Sequence, residues 1–284
     1  MPEIDREVKH HFEEISSHYY SVVDATPFLY GYYHTKEVSF IQNALDAFFS
    51  ESSNSSRPSS TILDIGCATG RVIKYIQDFR PESHFVGLDI SARMIRLAKE
   101  DTGPNVEYVV GDIRSLPFRS ETFDFVYSLE VIEHLDRKSI AIPLAVNEAM
   151  RVTREGGSTT LESTSLWHFR LQEVIKWGLP GAHTSLMQKQ SLSRFSDTYR
   201  KVPLKVAEPS AFEFVRGLIS SNGGEVKSTS WIRIIPEQTF VVIDNDLFRT
   251  VLVRIDELLT RIPGLRRLGR EFIISCVKRN NVDA

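Results

Sequence analysis

Thr61-Ile62-Leu63-Asp64-Ile65-Gly66-Cys67-Ala68-Thr69-Gly70-Arg71 is the stretch whose reading decides the fold. Its apolar opening suits a buried strand that ends at Asp64-Ile65-Gly66. Small residues then run to Gly70, after which Val72, Ile73, Tyr75, Ile76 and Phe79 recur at helical spacing. A strand, a tight glycine turn and a helix start, in that order, bring backbone N–H groups and the positive helix end close to a ligand. Glycine leaves the room for it. The turn alone is compatible with an NAD-type site or with no nucleotide at all, so the residues around it must decide.

Downstream, His84–Asp89 reads as a second strand that closes on an acid, about 20 residues beyond the turn, where a carboxylate can reach ribose hydroxyls. A helix follows over Ala92–Asp101, then a third strand over Asn105–Val110 running directly into Gly111-Asp112-Ile113. Leu116-Pro117-Phe118 precedes a fourth strand, Phe123–Ser128, and Met150–Gly157 reads as a turn before a fifth strand, Ser158–Ser163. A dinucleotide dehydrogenase would more often carry a longer glycine motif and a second nucleotide-binding half.

These motifs, in this order, resemble the class I S-adenosylmethionine (SAM)-dependent methyltransferases over residues 60–163. The glycine turn resembles their D-x-G-x-G-x-G motif, with Ala68 at the middle glycine. Leu116-Pro117-Phe118 with Phe123–Val126 is similar to their L-P-F…F-D-x-V, and Met150–Gly157 to R-V-L-K-P-G-G, with Glu155 at the proline. The resemblance implies an α/β, Rossmann-like, seven-stranded sheet with helices on both faces and the last strand antiparallel. It implies SAM as cofactor, held at Asp64, Gly66, Cys67 and Gly70 by its amino-acid end and at Asp89 and Ile90 by its ribose. Met94, Asp112 and Ile113 would hold the adenine, with Ser128 nearby. His-Phe-Glu-Glu-Ile-Ser-Ser-His-Tyr-Tyr at 11–20 is similar to the opening of quinone-biosynthesis methyltransferases, and Tyr20 would add an aromatic face for the sulfonium.

Glu130-Val131-Ile132-Glu133-His134 is the one constellation able to do more. On an α-helix Glu130, Glu133 and His134 would share a face. The pattern resembles the ligand motif of metal-assisted O-methyltransferases, in which an ion lowers an acceptor hydroxyl's pKa. It also fits His134 as a base or substrate ligand, or plain packing. The assignment taken forward has His134 and Glu130 as catalytic residues and no metal.

Composition sets the outer bounds. A net charge of −3 gives no global basic field for nucleic acid, and Cys67 and Cys276 form no close pair, which suits a reducing, cytoplasmic setting. No apolar run is long enough to span a membrane. We expect an N-terminal helical cap over 1–56, a SAM-binding core over 57–163 and a substrate-cap insertion over 164–210. Residues 211–284 would complete the core, with helices over Val38–Phe49, Phe212–Ser220 and Leu247–Ile262 and strands over Glu225–Ile235 and Phe272–Val277. The apolar stripe of Leu247–Ile262 packs on the sheet in the simpler reading; in the other, its surrounding arginines give peripheral contact with an anionic membrane through 247–270. The expected function is methyl transfer to a small-molecule or lipid/quinone-like acceptor. An RNA or protein methyltransferase and a non-catalytic SAM-binding module are the alternatives.

Overall fold

The computed structural model describes residues 9–10, 12–14, 16, 27–50, 59–100, 103, 105–135, 140–165, 212–235 and 246–279. Tyr19, Tyr20 and nearly all of the expected 164–210 insertion lie outside these residues. The elements run α1 (Pro27–Ser50), β1 (Thr61–Ile65), α2 (Arg71–Phe79), β2 (His84–Asp89), α3 (Ala92–Glu100), β3 (Val106–Val110) and β4 (Phe123–Ser128). Then come α4 (Ala141–Val152), β5 (Thr153–Thr164), α5 (Phe212–Ser221), β6 (Gly224–Ile232), α6 (Asp246–Arg261) and β7 (Glu271–Lys278). They build one sheet in the order β3-β2-β1-β4-β5-β7-β6. The first five strands pair in parallel, and β7 inserts antiparallel between β5 and β6, as expected.

Burial on both faces explains the strands' apolar character. Every residue of β4 is buried, as a strand covered on both sides requires. On one face Val146, Ala149 and Met150 of α4 and Val215 and Ile219 of α5 pack with Leu63, Val126, Leu161 and Phe272. On the other, Ile41, Leu45 and Phe48 of α1 and Ile73 and Ile76 of α2 cover Ile62, Phe85, Phe125 and Tyr127. Each of these larger side chains contributes about 1.5–3 kcal/mol when fully buried, so α1 is an integral layer of the fold.

Several elements differ from their sequence readings, among them β6, which ends at Ile232 and not Ile235 because Arg233 turns into the left-handed region at φ +61°. Helix α1 begins at Pro27, eleven residues before Val38, because proline's fixed φ suits a first helical turn. The turn expected over Met150–Gly157 is instead the end of α4 followed at once by β5; its glycines produce a register irregularity opposite Phe123 and Phe125, with Gly156 at φ +72°. Helix α6 is rotated so that its apolar stripe faces outward: Leu247 is 76% exposed and Leu258 61%, while Asp256 is 1% exposed. The Asp256 carboxylate accepts the backbone N–H groups of Ile234 and Ile235 at 2.8 and 2.7 Å, which fixes that rotation. Among the described residues no helix is long and apolar enough to cross a membrane.

Candidate active site

β1, β2 and β4 end side by side, and their C-terminal ends carry Gly66, Asp89 and Ser128. Strand order reverses between β1 and β4, the switch point at which open α/β sheets form a ligand crevice. The turn after β1 uses three left-handed residues, Gly66 (φ +81°), Ala68 (φ +46°) and Gly70 (φ +74°). A Cβ at Gly66 would lie 2.1 Å from the Val131 Cγ2, and one at Gly70 2.3 Å from the Tyr108 hydroxyl, so conformation and space both demand glycine there.

Asp89 is joined directly to this turn. Its Oδ2 accepts the Ala68 N–H at 2.9 Å, and its Oδ1 accepts the Ser91 N–H at 2.8 Å. Burial raises its pKa, and these backbone hydrogen bonds oppose the shift. The sequence suggests backbone donors left open for a ligand. In the structure the Gly66 and Cys67 N–H groups share the Leu88 carbonyl, and the Gly70 N–H goes to the Cys67 carbonyl. The turn therefore shapes the crevice more than it supplies donors from these positions. Thr69 is the exception: its buried Oγ1 has no hydrogen-bond partner among the described residues.

Asp64 lies beneath the turn, beside Tyr127 in the register of β1 and β4. Burial, with a smaller push from the Asp89 charge, raises its pKa to about 8. The buried Cys67 thiol is pushed up as well, first by burial and then by Asp64 and Asp89. Ser128 donates its hydroxyl to the Ile65 carbonyl at 3.0 Å and so ties β4 to β1. Met94 and Ile113 are buried, Ile113 within the core cluster, and Ile90 is half-buried. The Asp112 carboxylate is gripped by Arg114, whose Nε lies 2.9 Å from Oδ1 and whose Nη2 lies 2.5 Å from Oδ2. The resulting pKa is lowered although burial opposes it.

On the other side of Ser128, the Glu130–His134 segment does not form the expected α-helical face. Glu130 has φ +53°, and only Ile132–His134 is helical, as a single 3₁₀ turn. A left-handed residue at Glu130 breaks the helical path before it starts. The carboxylate of Glu130 therefore turns to Arg233 at 3.4 Å, while the buried Glu133 rises to about 8 through desolvation and then the Glu130 charge. His134 packs edge-on against Phe12, with ring centroids 5.2 Å apart. Among the described residues, no group of three or more His, Cys, Asp or Glu is placed to hold a metal.

Residues 62–157 match the protein family described as methyltransferase domain. Over those residues the chain is similar to methyltransferase domains, and its strand order with β7 antiparallel is the one that the resemblance to class I SAM-dependent methyltransferases implies. Over 123 residues the chain is 33% identical to the probable tRNA methyltransferase 9B of Homo sapiens, covering 42% of this chain and 25% of that protein. Over 133 residues it is 35% identical to the malonyl-[acyl-carrier protein] O-methyltransferase of Erwinia pyrifoliae, covering 46% and 47%. Over 171 residues it is 26% identical to a ubiquinone biosynthesis O-methyltransferase of Agrobacterium fabrum, covering 55% and 66%. The chain thus spans between 25% and 66% of these curated relatives. The fold matches that of magnesium protoporphyrin IX methyltransferase from Synechocystis PCC 6803 with bound SAH, at TM-score 0.58 and 12% identity, covering 98% of this chain and 100% of that one.

Beside the glycine turn sits a cluster that no motif reveals. Glu37 of α1, Glu162 of β5 and Glu271 of β7 are buried with Arg233, whose Nε donates to Glu271 Oε2 at 2.7 Å. The Glu130 N–H donates to Glu162 Oε2 at 3.2 Å, while Glu162 Oε1 and Glu133 Oε2 lack a hydrogen-bond partner among the described residues. Desolvation first, then mutual repulsion, raises the pKa of Glu37 and Glu162.

Proposed function

We propose that this chain transfers a methyl group from SAM to a small-molecule or lipid/quinone-like acceptor by direct in-line displacement. The observation that carries this reading is Asp89, tied by one oxygen to the glycine turn and by the other to the start of α3, at the sheet's switch point. The residues fit the cofactor: a carboxylate suits a ribose diol, and the unpartnered Thr69 hydroxyl sits in the turn itself. Gly66 and Gly70 keep that turn tight, and Asp64, Cys67, Ile90, Met94, Asp112, Ile113 and Ser128 shape its surroundings.

When bound, SAM supplies a methyl carbon on a positively charged sulfur, which is already strongly electrophilic. The chain's task is then to align the acceptor and exclude water. Glu130 stands just past the end of β4 with a half-exposed carboxylate, and His134 follows one turn later. We assign the removal of the acceptor's proton to His134, with Glu130 as the second catalytic candidate. Residues 164–210, with the part of the N-terminal segment that precedes α1, would close over the acceptor.

Incubation with methyl-labelled SAM and separate lipid, small-molecule and RNA fractions of a cell extract tests the proposal. Label in a lipid or small-molecule product supports it, and label in RNA alone would replace it with the RNA alternative. SAM binding without transfer to any fraction would leave a cofactor-binding module.

A further inference from the structure

Helix α6 shows its least polar side to solvent. Leu247, Phe248, Val251, Ile255, Leu258 and Ile262 are all exposed, and Leu265 in the following turn continues the patch. At 100° per residue these side chains fall within one stripe about 100° wide. The opposite side of α6 is anchored: Asp256 holds the Ile234 and Ile235 N–H groups, and Glu257 pairs with Lys36 of α1. Leu252 and Val253 pack against Ile232 and Ile273. The helix therefore cannot roll to bury its apolar stripe without losing these contacts.

Positive charge borders the stripe. Arg254 and Arg261 are two turns apart along one edge, and Arg266 and Arg267 are exposed beyond the helix end. The described acids nearest to them are already committed, Asp256 to the backbone and Glu257 to Lys36 and Arg254. We infer that this face is a docking surface for an anionic lipid bilayer, with the apolar stripe entering the interface and the arginines meeting acidic headgroups. Long arginine stems can follow the apolar surface while their guanidinium groups stay in the headgroup layer. A second copy of the same face fits less well, because it would set arginines against arginines. The inference does not depend on methyl transfer, although it would bring an apolar acceptor within reach.

Co-sedimentation of the full chain with phosphatidylcholine–phosphatidylserine vesicles, against pure phosphatidylcholine, tests it. The chain should pellet with the anionic vesicles and lose binding as salt rises from low to physiological. Replacing Arg254, Arg261, Arg266 and Arg267 by glutamine should weaken binding by on the order of 10²- to 10³-fold. Leu247→Ser with Leu258→Ser should abolish pelleting while circular dichroism stays unchanged, since both side chains are exposed. Equal, negligible pelleting with both lipids, or pelleting unchanged by the leucine substitutions, would overturn the inference. So would a dimer in sedimentation velocity that those same substitutions dissociate.

Discussion

Glu130 and Arg233 are 103 residues apart in the chain and meet at 3.4 Å, each with its backbone in the left-handed region at φ +53° and +61°. Such a conformation costs about 1–2 kcal/mol per non-glycine residue. The surroundings hold both residues in place: Glu271 grips the Arg233 guanidinium, and Glu162 accepts the Glu130 N–H. Strain persists where neighbouring contacts over-determine it, and such places concentrate at functional sites. This one borders the glycine turn, whose Gly66 packs against Val131.

Removing Arg233 leaves several buried carboxylates with less compensation. Arg233→Met should destabilise the fold by about 3–5 kcal/mol at pH 8. At pH 5 the loss should be smaller, because the carboxylates can take up protons. Urea denaturation at both pH values checks this; an equal loss at the two would assign the effect to packing alone.

Stability should fall as pH rises. The folded chain keeps protons on Asp64 and Glu133 up to about pH 8, whereas the unfolded chain releases them in the ordinary carboxylate range. More protons bound in the folded state means that stability is greatest below that range and declines toward pH 8. Each group contributes a slope of about 1.4 kcal/mol per pH unit within its window. Thermal unfolding from pH 5 to 8 should show the decline, and Asp64→Asn should roughly halve its slope, leaving the part due to Glu133.

The limits of β2 and β4 and the position of the glycine turn were legible because buried parallel strands impose apolar runs and turns demand glycine. Strand β5 begins, and β6 ends, away from the expected limits. The position of Asp89 at the end of β2 was legible, but its bond to the Ala68 N–H was not, since a turn's internal hydrogen bonds depend on exact dihedral angles. Pairing between distant residues was hidden altogether: Arg233 with Glu130 and Glu271, and Glu162 with the Glu130 N–H. The rotation of α6 was misleading for a related reason. Its hydrophobic periodicity located a stripe, but two backbone donors after β6 recruited Asp256 to the inside.

The turn offers a paired test of its geometry. Gly66→Ala adds a methyl group at a left-handed position against the Val131 side chain and should cost roughly 2–5 kcal/mol. Ala68→Gly relaxes an alanine already held at φ +46° and should change stability by less than about 1 kcal/mol. Denaturant midpoints for the two variants compare them directly.

If His134 removes the acceptor's proton, His134→Gln should lower kcat by about 10²- to 10⁴-fold while SAM affinity stays near wild type. Chelator treatment should leave turnover intact on this reading. Loss of turnover with chelator, restored by Mg²⁺, would assign the step to a metal instead.

Calorimetric titration of SAM into the wild-type chain and Asp89→Ala tests the central claim most directly. The wild type should bind one equivalent. The variant, shown to be folded by circular dichroism, should bind about 1–3 kcal/mol more weakly because two ribose hydroxyls lose their acceptor. A folded wild type that gives no binding to SAM, or a folded variant with unchanged affinity, would contradict the assignment of this crevice to the methyl donor.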